Sequence, residues 1–172
     1  MDGTEIRLQL DEQLLASTIS GTVLGLQMAN VTPVPVGATR LVSARHRITV
    51  MVGLVGKHSG SMALNLSEPA MLFLAGRLLA EDQTVLSEDN IDAIMEIGNM
   101  VAGSIKTPLR STGYEIDQIS LPSLIMGQSY NMMYARGINT IAVEFEITEM
   151  PYASLTDRFF TTSVSLLRGA GK

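Results

Sequence analysis

Cysteine is absent from this 172-residue chain, which removes disulfides, thiolate nucleophiles and sulfur-ligated zinc. Histidine is nearly absent. His46 and His58 are the only imidazoles, both in a stretch that reads as strands and a turn, so a histidine-rich metal site is excluded. No run of Lys or Arg exceeds short mixtures such as Arg45 to Arg47, and the net charge is −5. Neutralising a phosphate backbone takes several clustered cations, so no nucleic-acid role is expected. Apolar runs are broken by charge or Gly well before membrane-spanning length. The first residues, with Asp2, Glu5 and Arg7, show no basic segment followed by an apolar one. The expectation is no membrane insertion and a cytoplasmic location. No G-x-G-x-x-G follows a strand and no P-loop is present. "GLVGKHSG" lacks the Gly-Lys-Ser/Thr order and reads as a hairpin turn with Lys57 and His58 solvated.

What is present suits one folded unit spanning 1–172, since 46% hydrophobic residues is far from a disordered composition and the length serves one substantial core. Eleven methionines against four phenylalanines make the apolar surface soft and adaptable. Leu15, Ile19, Val23 and Leu26 recur at helical spacing after Asp11, which predicts a helix over about 12–28. Within it Gly21 and Gly25 lie four apart, either for close approach of another backbone or as tolerated weak points. Pro33 and Pro35 end the helix.

From residue 36 to 66 the chain turns β-branched and reads as three antiparallel strands, at about 36–44, 47–55 and 60–66. Ser67 caps a helix over 68–79 with Pro69 in its first turn and Leu72, Ala75, Gly76 and Leu79 as its buried stripe. Ser87 caps a longer helix ending near Thr107, before Pro108. Extended pieces follow at 114–119 and 123–126, then strands at 138–148 and 159–167. The class is α+β, an antiparallel β-sheet packed against two long helices. Its order of helix, strands, helix, strands is compatible with a pseudo-two-fold internal repeat.

The helix beginning near Ser87 carries the functional signal. At about 100° per residue, Ile91, Ile94, Gly98, Val101 and Ile105 fall on one side, and Asp92, Glu96, Asn99, Gly103 and Lys106 on the other. Met95 and Met100 flank the polar stripe, an apolar shoulder on a polar centre that suits protein binding. Any surface helix exposes carboxylates and amides, but a mid-helix Asn between Gly98 and Gly103 is not what helix propensity selects. The spacing of three puts Glu96 and Asn99 on one patch. An amide can fix the direction of an attacking water, as in phosphoryl transfer, and a carboxylate can pair with a cation. The pair has too few ligands for Mg²⁺, so a hydrolytic site built on it takes metal and phosphate from a partner.

Asp92, Glu96, Asn99 and Pro122 also fit a longer pattern: Asp or Ser, three residues, Glu, two residues, Asn, twenty-two residues, Pro. With "EIGNMVAGSIKTPL", "ISLPSLIMG", the upstream "ITVMVGLVGKHSGSMALNLSEPAMLFLAGRLL" and the closing "FFTTSVSL", the chain resembles the CheC/CheX family of chemotaxis phosphatases. The likeness runs over about residues 12–167 and is weakest over 28–45. It implies a CheC-like fold and hydrolysis of the aspartyl phosphate on a response-regulator receiver domain. Asn99 would orient the water and Glu96 would pair with the receiver's lysine. The chain would bind no cofactor or metal of its own, with Mg²⁺ in the partner receiver domain. Asp92, Met95, Met100, Gly103 and Lys106 would meet that partner, and Pro122 would have an indirect structural role.

The CheC branch carries two such motifs. Here the first helix, "STISGTVLGLQMAN", has no Glu followed three residues later by Asn, and Asn30 stands without that partner, so the likeness is to the CheX branch and implies a homodimer. The competing reading is a non-catalytic adaptor that docks on a response regulator or a flagellar switch component through the same helix. Glu144, Glu146 and Glu149 read as a solvated sheet face, and Tyr130, Met132, Met133 and Tyr134 as the apolar content of a loop or strand.

Overall fold

The structure, a computed structural model, describes residues 10–127, 130–151 and 155–168. The opening residues Asp2, Glu5 and Arg7 lie outside them. The chain runs α1 (Glu12–Leu26), a 3₁₀ turn Gln27–Ala29, β1 (Val34–Thr39), β2 (Val42–Ala44), β3 (Ile48–Gly56), β4 (Gly60–Leu66), α2 (Glu68–Leu79) and α3 (Glu88–Leu109). It continues through β5 (Ile116–Ile119), β6 (Ser123–Met126), β7 (Tyr130–Met132), β8 (Ile138–Glu146), a 3₁₀ turn Leu155–Arg158 and β9 (Phe159–Leu167).

Seven strands make one antiparallel sheet in the order β1-β8-β9-β4-β3-β5, with β6 also paired to β3. Strict alternation sends Ile48, Val50, Val52 and Leu54 of β3 and Ile141, Val143 and Phe145 of β8 to one face, where they meet α1 and α3 in a single core. The opposite face carries Thr49, Ala63, Asn65 and Ser163, all buried, under the two-stranded ribbon β2–β7. Tyr130 of that ribbon donates from its hydroxyl to Thr49 Oγ1 at 2.8 Å. The order is its own mirror about the β9–β4 pair: α1 matches α3, β1 matches β5 with β6 continuing that edge along β3, β2 matches β7, and the hairpin β3–β4 matches β8–β9. The internal repeat is therefore present in the topology, with α2 as an insertion after the first half.

The two glycines of α1 are contact points, which resolves the alternative left open by sequence. A Cβ on Gly25 would lie 2.6 Å from Val101 Cα, and one on Gly21 2.6 Å from the Ile105 backbone nitrogen. The helices α1 and α3 cross there backbone to backbone. Gly98, on another side of α3, would place a Cβ 2.5 Å from Val50 Cγ1, so α3 also rests directly on the sheet.

Several expectations need correction. The strand expected over 36–44 is two: β1 ends at Thr39, whose Oγ1 accepts from Leu41 N, and the chain then crosses the far face as β2. The stripe of α2 is Ala70, Met71, Leu74 and Ala75, with Leu79 43% exposed, because a helix this apolar has no unique hydrophobic face until its neighbours choose one. Pro108 lies inside α3, not after it. Near a C-terminus its ring deletes one backbone bond, the N–H of Arg110 two residues on still donates to Lys106 O at 3.0 Å, and Leu109 is wholly buried. The hairpin turn is where it was expected, with Lys57 exposed and His58 partly so; Lys57 also pairs with Glu115 at 2.6 Å and His58 sets its ring edge-on to Tyr114. Glu146 does more than solvate a strand: it bridges the buried Arg158 at 2.9 Å, while Glu149 accepts from Thr32 N.

Candidate functional site: the outer face of α3

The start of α3 is held by reciprocal capping. Ser87 Oγ accepts from Asn90 N, Asn90 Oδ1 accepts from Ser87 N at 3.0 Å, and Asn90 Nδ2 donates to Val85 O at 2.8 Å. Glu88 and Asp89 add negative charge at the positive end of the helix. Ser87 was legible as a cap; the fully buried Asn90, which completes the box and anchors the preceding loop, was not. It carried one signal, a Ser followed three residues later by an amide.

Along α3 the burial follows the expected division. Ile94, Ile97, Gly98, Val101, Ala102 and Ile105 are buried and Ile91 partly so. Asp92 and Glu96 are exposed, and Asn99, Gly103 and Lys106 are partly exposed on the same outer side, with Met95 and Met100 half-buried at its margins. The side chains of Asp92, Glu96, Asn99 and Lys106 make no hydrogen bond or ion pair among the described residues. They are free to meet a partner. Glu96 and Asn99 stand one helical step of about 4.5 Å apart along the axis. The missing side chain at Gly103 faces open space, so the helix surface dips between Asn99 and Lys106.

Because Gly98 seats α3 on Val50 and the glycines of α1 lock its flank, the neighbouring Glu96 and Asn99 project from a backbone fixed on two sides. That is the support a water-positioning side chain needs. Pro122 sits elsewhere, where β5 passes into β6. Three residues, 120–122, span the interval that Val52 and Gly53 span on β3, so one residue is extra and the edge kinks. Ser120 stitches the bulge, donating its N–H to Gly53 O at 2.9 Å and accepting from Gly53 N on Oγ at 2.7 Å. Proline, lacking an N–H, suits that break.

A depression of about 1060 Å³ lies away from this face, beside α2, lined by Phe73, Arg77 and Met150 among others. Arg77 lies 5.9 Å from the Phe73 ring and donates to Asn30 O, and Glu81 and Asp82 stand on the same rim. The outer face of α3, where Asp92, Glu96, Asn99 and Lys106 have no side-chain partner among the described residues, is the candidate site. Among the described residues no cluster of His, Asp and Glu is placed to hold a metal ion, and no helix is long and apolar enough to cross a membrane.

The family model described as "Chemotaxis phosphatase CheX" matches residues 48–146, more than half of the chain, from β3 through β8 and including the whole of α3. The chain belongs to that family. No curated protein sequence matches it significantly. Solved CheX-type structures share the fold over nearly their full length. A putative chemotaxis protein from Desulfovibrio vulgaris Hildenborough is 23% identical with a TM-score of 0.74, covering 90% of this chain and 97% of its own. The chemotaxis protein CheX from Vibrio vulnificus is 25% identical with a TM-score of 0.67, again over 90% and 97%. The CheX of a CheX-CheY-BeF3-Mg+2 complex from Borrelia burgdorferi is 22% identical with a TM-score of 0.67, over 95% and 100%.

Proposed function

We propose that this CheX-family protein hydrolyses the aspartyl phosphate of a response-regulator receiver domain through the outer face of α3. The reading rests on one observation above the others: Glu96, exposed, and Asn99, partly exposed, stand together without a side-chain partner among the described residues, on a helix pinned to the sheet at Gly98 between them. Asn99 enters the receiver's site and orders a water in line with the phosphorus–oxygen bond, donating and accepting through its amide. The water attacks phosphorus, the receiver's Asp leaves as carboxylate, and inorganic phosphate departs. Glu96 pairs with the receiver's lysine, which holds the helix in register. In this reading the Mg²⁺ is the receiver's own. The capture of a relative with CheY, BeF3 and Mg+2 supports a partner of this kind.

The direct test follows the decay of phosphoryl label on receiver domains with Mg²⁺, alone and with wild type, Asn99→Ala or Glu96→Ala. Removing a group that acts in the transition state costs about 10²-fold or more, and that loss is expected for Asn99→Ala with unfolding stability unchanged. Acceleration that survives Asn99→Ala refutes the chemistry. A receiver that binds the wild type without losing phosphate faster leaves the adaptor function in its place.

The homodimer is proposed to form at the β1 edge of the sheet. All six residues from Val34 to Thr39 are exposed, including Val34 at 44% and Val36 at 47%, whereas the opposite edge is kinked at Ser120–Pro122. A protein that sediments as a monomer at micromolar concentration removes this assignment.

A further inference from the structure

The outer face of α3 does not end at Asp92. Beside it the loop between α2 and α3 encloses a groove of about 790 Å³ whose lining includes Glu81, Asp82, Asp89, Asp92 and Glu96, together with the apolar Leu79 and Val85. Leu79 is 43% exposed and Val85 70% exposed. None of the five carboxylates forms an ion pair among the described residues, and no Lys or Arg lines the groove. The loop that carries Glu81 and Asp82 is held in place: Ala80 closes α2 in the left-handed region at φ 56, Glu81 N donates to Gly76 O at 3.1 Å, and Val85 O accepts from Asn90.

We infer that this groove is the specificity-determining part of the docking surface and receives a cationic segment of the receiver, Lys or Arg side chains with an apolar residue between them. The inference rests on the phosphatase-type docking proposed above and extends it from the two chemical residues to the choice of partner. Glu96 belongs both to the proposed reacting pair and to the rim of the groove, so one body that meets Glu96 also meets the groove. The sizes agree. A specific interface covers about 800 Å² per partner, a round patch of about 16 Å radius, whereas Asp92 is only one helical turn, about 5.4 Å, from Glu96. A receiver seated over Asn99 therefore lies over Asp92 and the loop beyond it. Five carboxylates that form no ion pair among the described residues, with Arg77 of the adjoining depression the cation beside Glu81 and Asp82, present a local field that a matching cationic surface relieves, and such complementarity acts on encounter and partner choice more than on the chemical step.

The experiment compares wild type, the double variant Glu81→Lys/Asp82→Lys, and a control of equal charge change on elements away from the groove, Glu12→Lys/Glu144→Lys. Two quantities are read on the same chemotaxis receiver domain: affinity for its Mg²⁺- and beryllofluoride-loaded form at several ionic strengths, and phosphoryl loss. The groove variant is expected to bind about tenfold more weakly, with a flatter salt dependence and kcat unchanged, while the control stays near wild type. Equal weakening by the control, or none by the groove variant, overturns the inference even where wild type is an active phosphatase. Weakened binding by the groove variant alone, with no phosphoryl loss for wild type, sustains the groove and removes the phosphatase reading. A wild type that neither binds nor dephosphorylates any receiver of its organism removes both.

Discussion

Two Gly→Ala substitutions, one in the α1–α3 contact and one on the outer face of α3, should change stability in opposite directions. At Gly21 of α1 the new Cβ arrives 2.6 Å from the Ile105 backbone nitrogen and 2.7 Å from its Cα. Ordinary carbon contact begins near 3.5 Å, so the helices must separate by about 1 Å, and a gap of that size forfeits a quarter to a half of each dispersion contact around it. The obstacle is backbone, so no rotamer change relieves it. Overpacking costs about 3 kcal/mol at the upper end of its usual range, and Ala returns about 1 kcal/mol through helix propensity, leaving a net loss of about 2 kcal/mol. At Gly103 of α3 a Cβ meets nothing within 4 Å. Propensity then acts alone, and Gly103→Ala should gain about 0.5–1 kcal/mol. Urea unfolding followed by circular dichroism, at one fixed protein concentration because the protein is proposed to dimerise, reads both. With m near 2 kcal/mol per molar, the two midpoints should differ by about 1–1.5 M. A Gly21→Ala midpoint at or above wild type, or both variants moving the same way, would show that the helices do not cross at the glycines.

Arg158→Leu removes a guanidinium with 6% exposure that bridges Glu146 at 2.9 Å and donates to the carbonyls of Ile147 and Thr148. Breaking one side of such a pair should cost about 3 kcal/mol, or about 6–12 °C in thermal midpoint; an unchanged midpoint contradicts the assigned role. Tyr114 is held protonated, its pKa raised from 10.0 to about 12 by burial first and by its hydrogen bond to Asp11 second. A raised folded-state pKa adds stability that is complete below about pH 10 and disappears as pH climbs towards 12. The stability difference between wild type and Tyr114→Phe should be constant below pH 10 and shrink above it, measured by urea titration at each pH. A difference that stays flat to pH 11.5 refutes this account.

How much of the protein could be read in advance depended on how local each decision was. The outer face of α3 was legible because mixed polar and apolar residues recur at 3.6-residue spacing, and the same arithmetic places Glu96 beside Asn99. The face of α2 was not, because "EPAMLFLAGRLL" is apolar nearly all round and several stripes satisfy its periodicity equally. The division of 34–44 into β1 and β2 left no signal in residue type: both pieces favour extended backbone, and what separates them is a crossing of the far face towards β3. The short β7 stayed undecided between loop and strand for the same reason, since its pairing partner lies almost ninety residues earlier at Val42 to Ala44.

The sequence by itself determined the class of the fold, the chief helices and their caps, and the pairing of an amide with a carboxylate on one helix surface, because each follows from neighbours within a few residues. Tertiary structure decided the rest. It made Gly21, Gly25 and Gly98 into the contacts that fix α3 at a set height, and it folded the loop after α2 against Asp92 and Glu96 to form an acidic groove. Those outcomes depend on which backbones approach each other across the core, and steric fit between residues eighty positions apart is a property that no local periodicity carries.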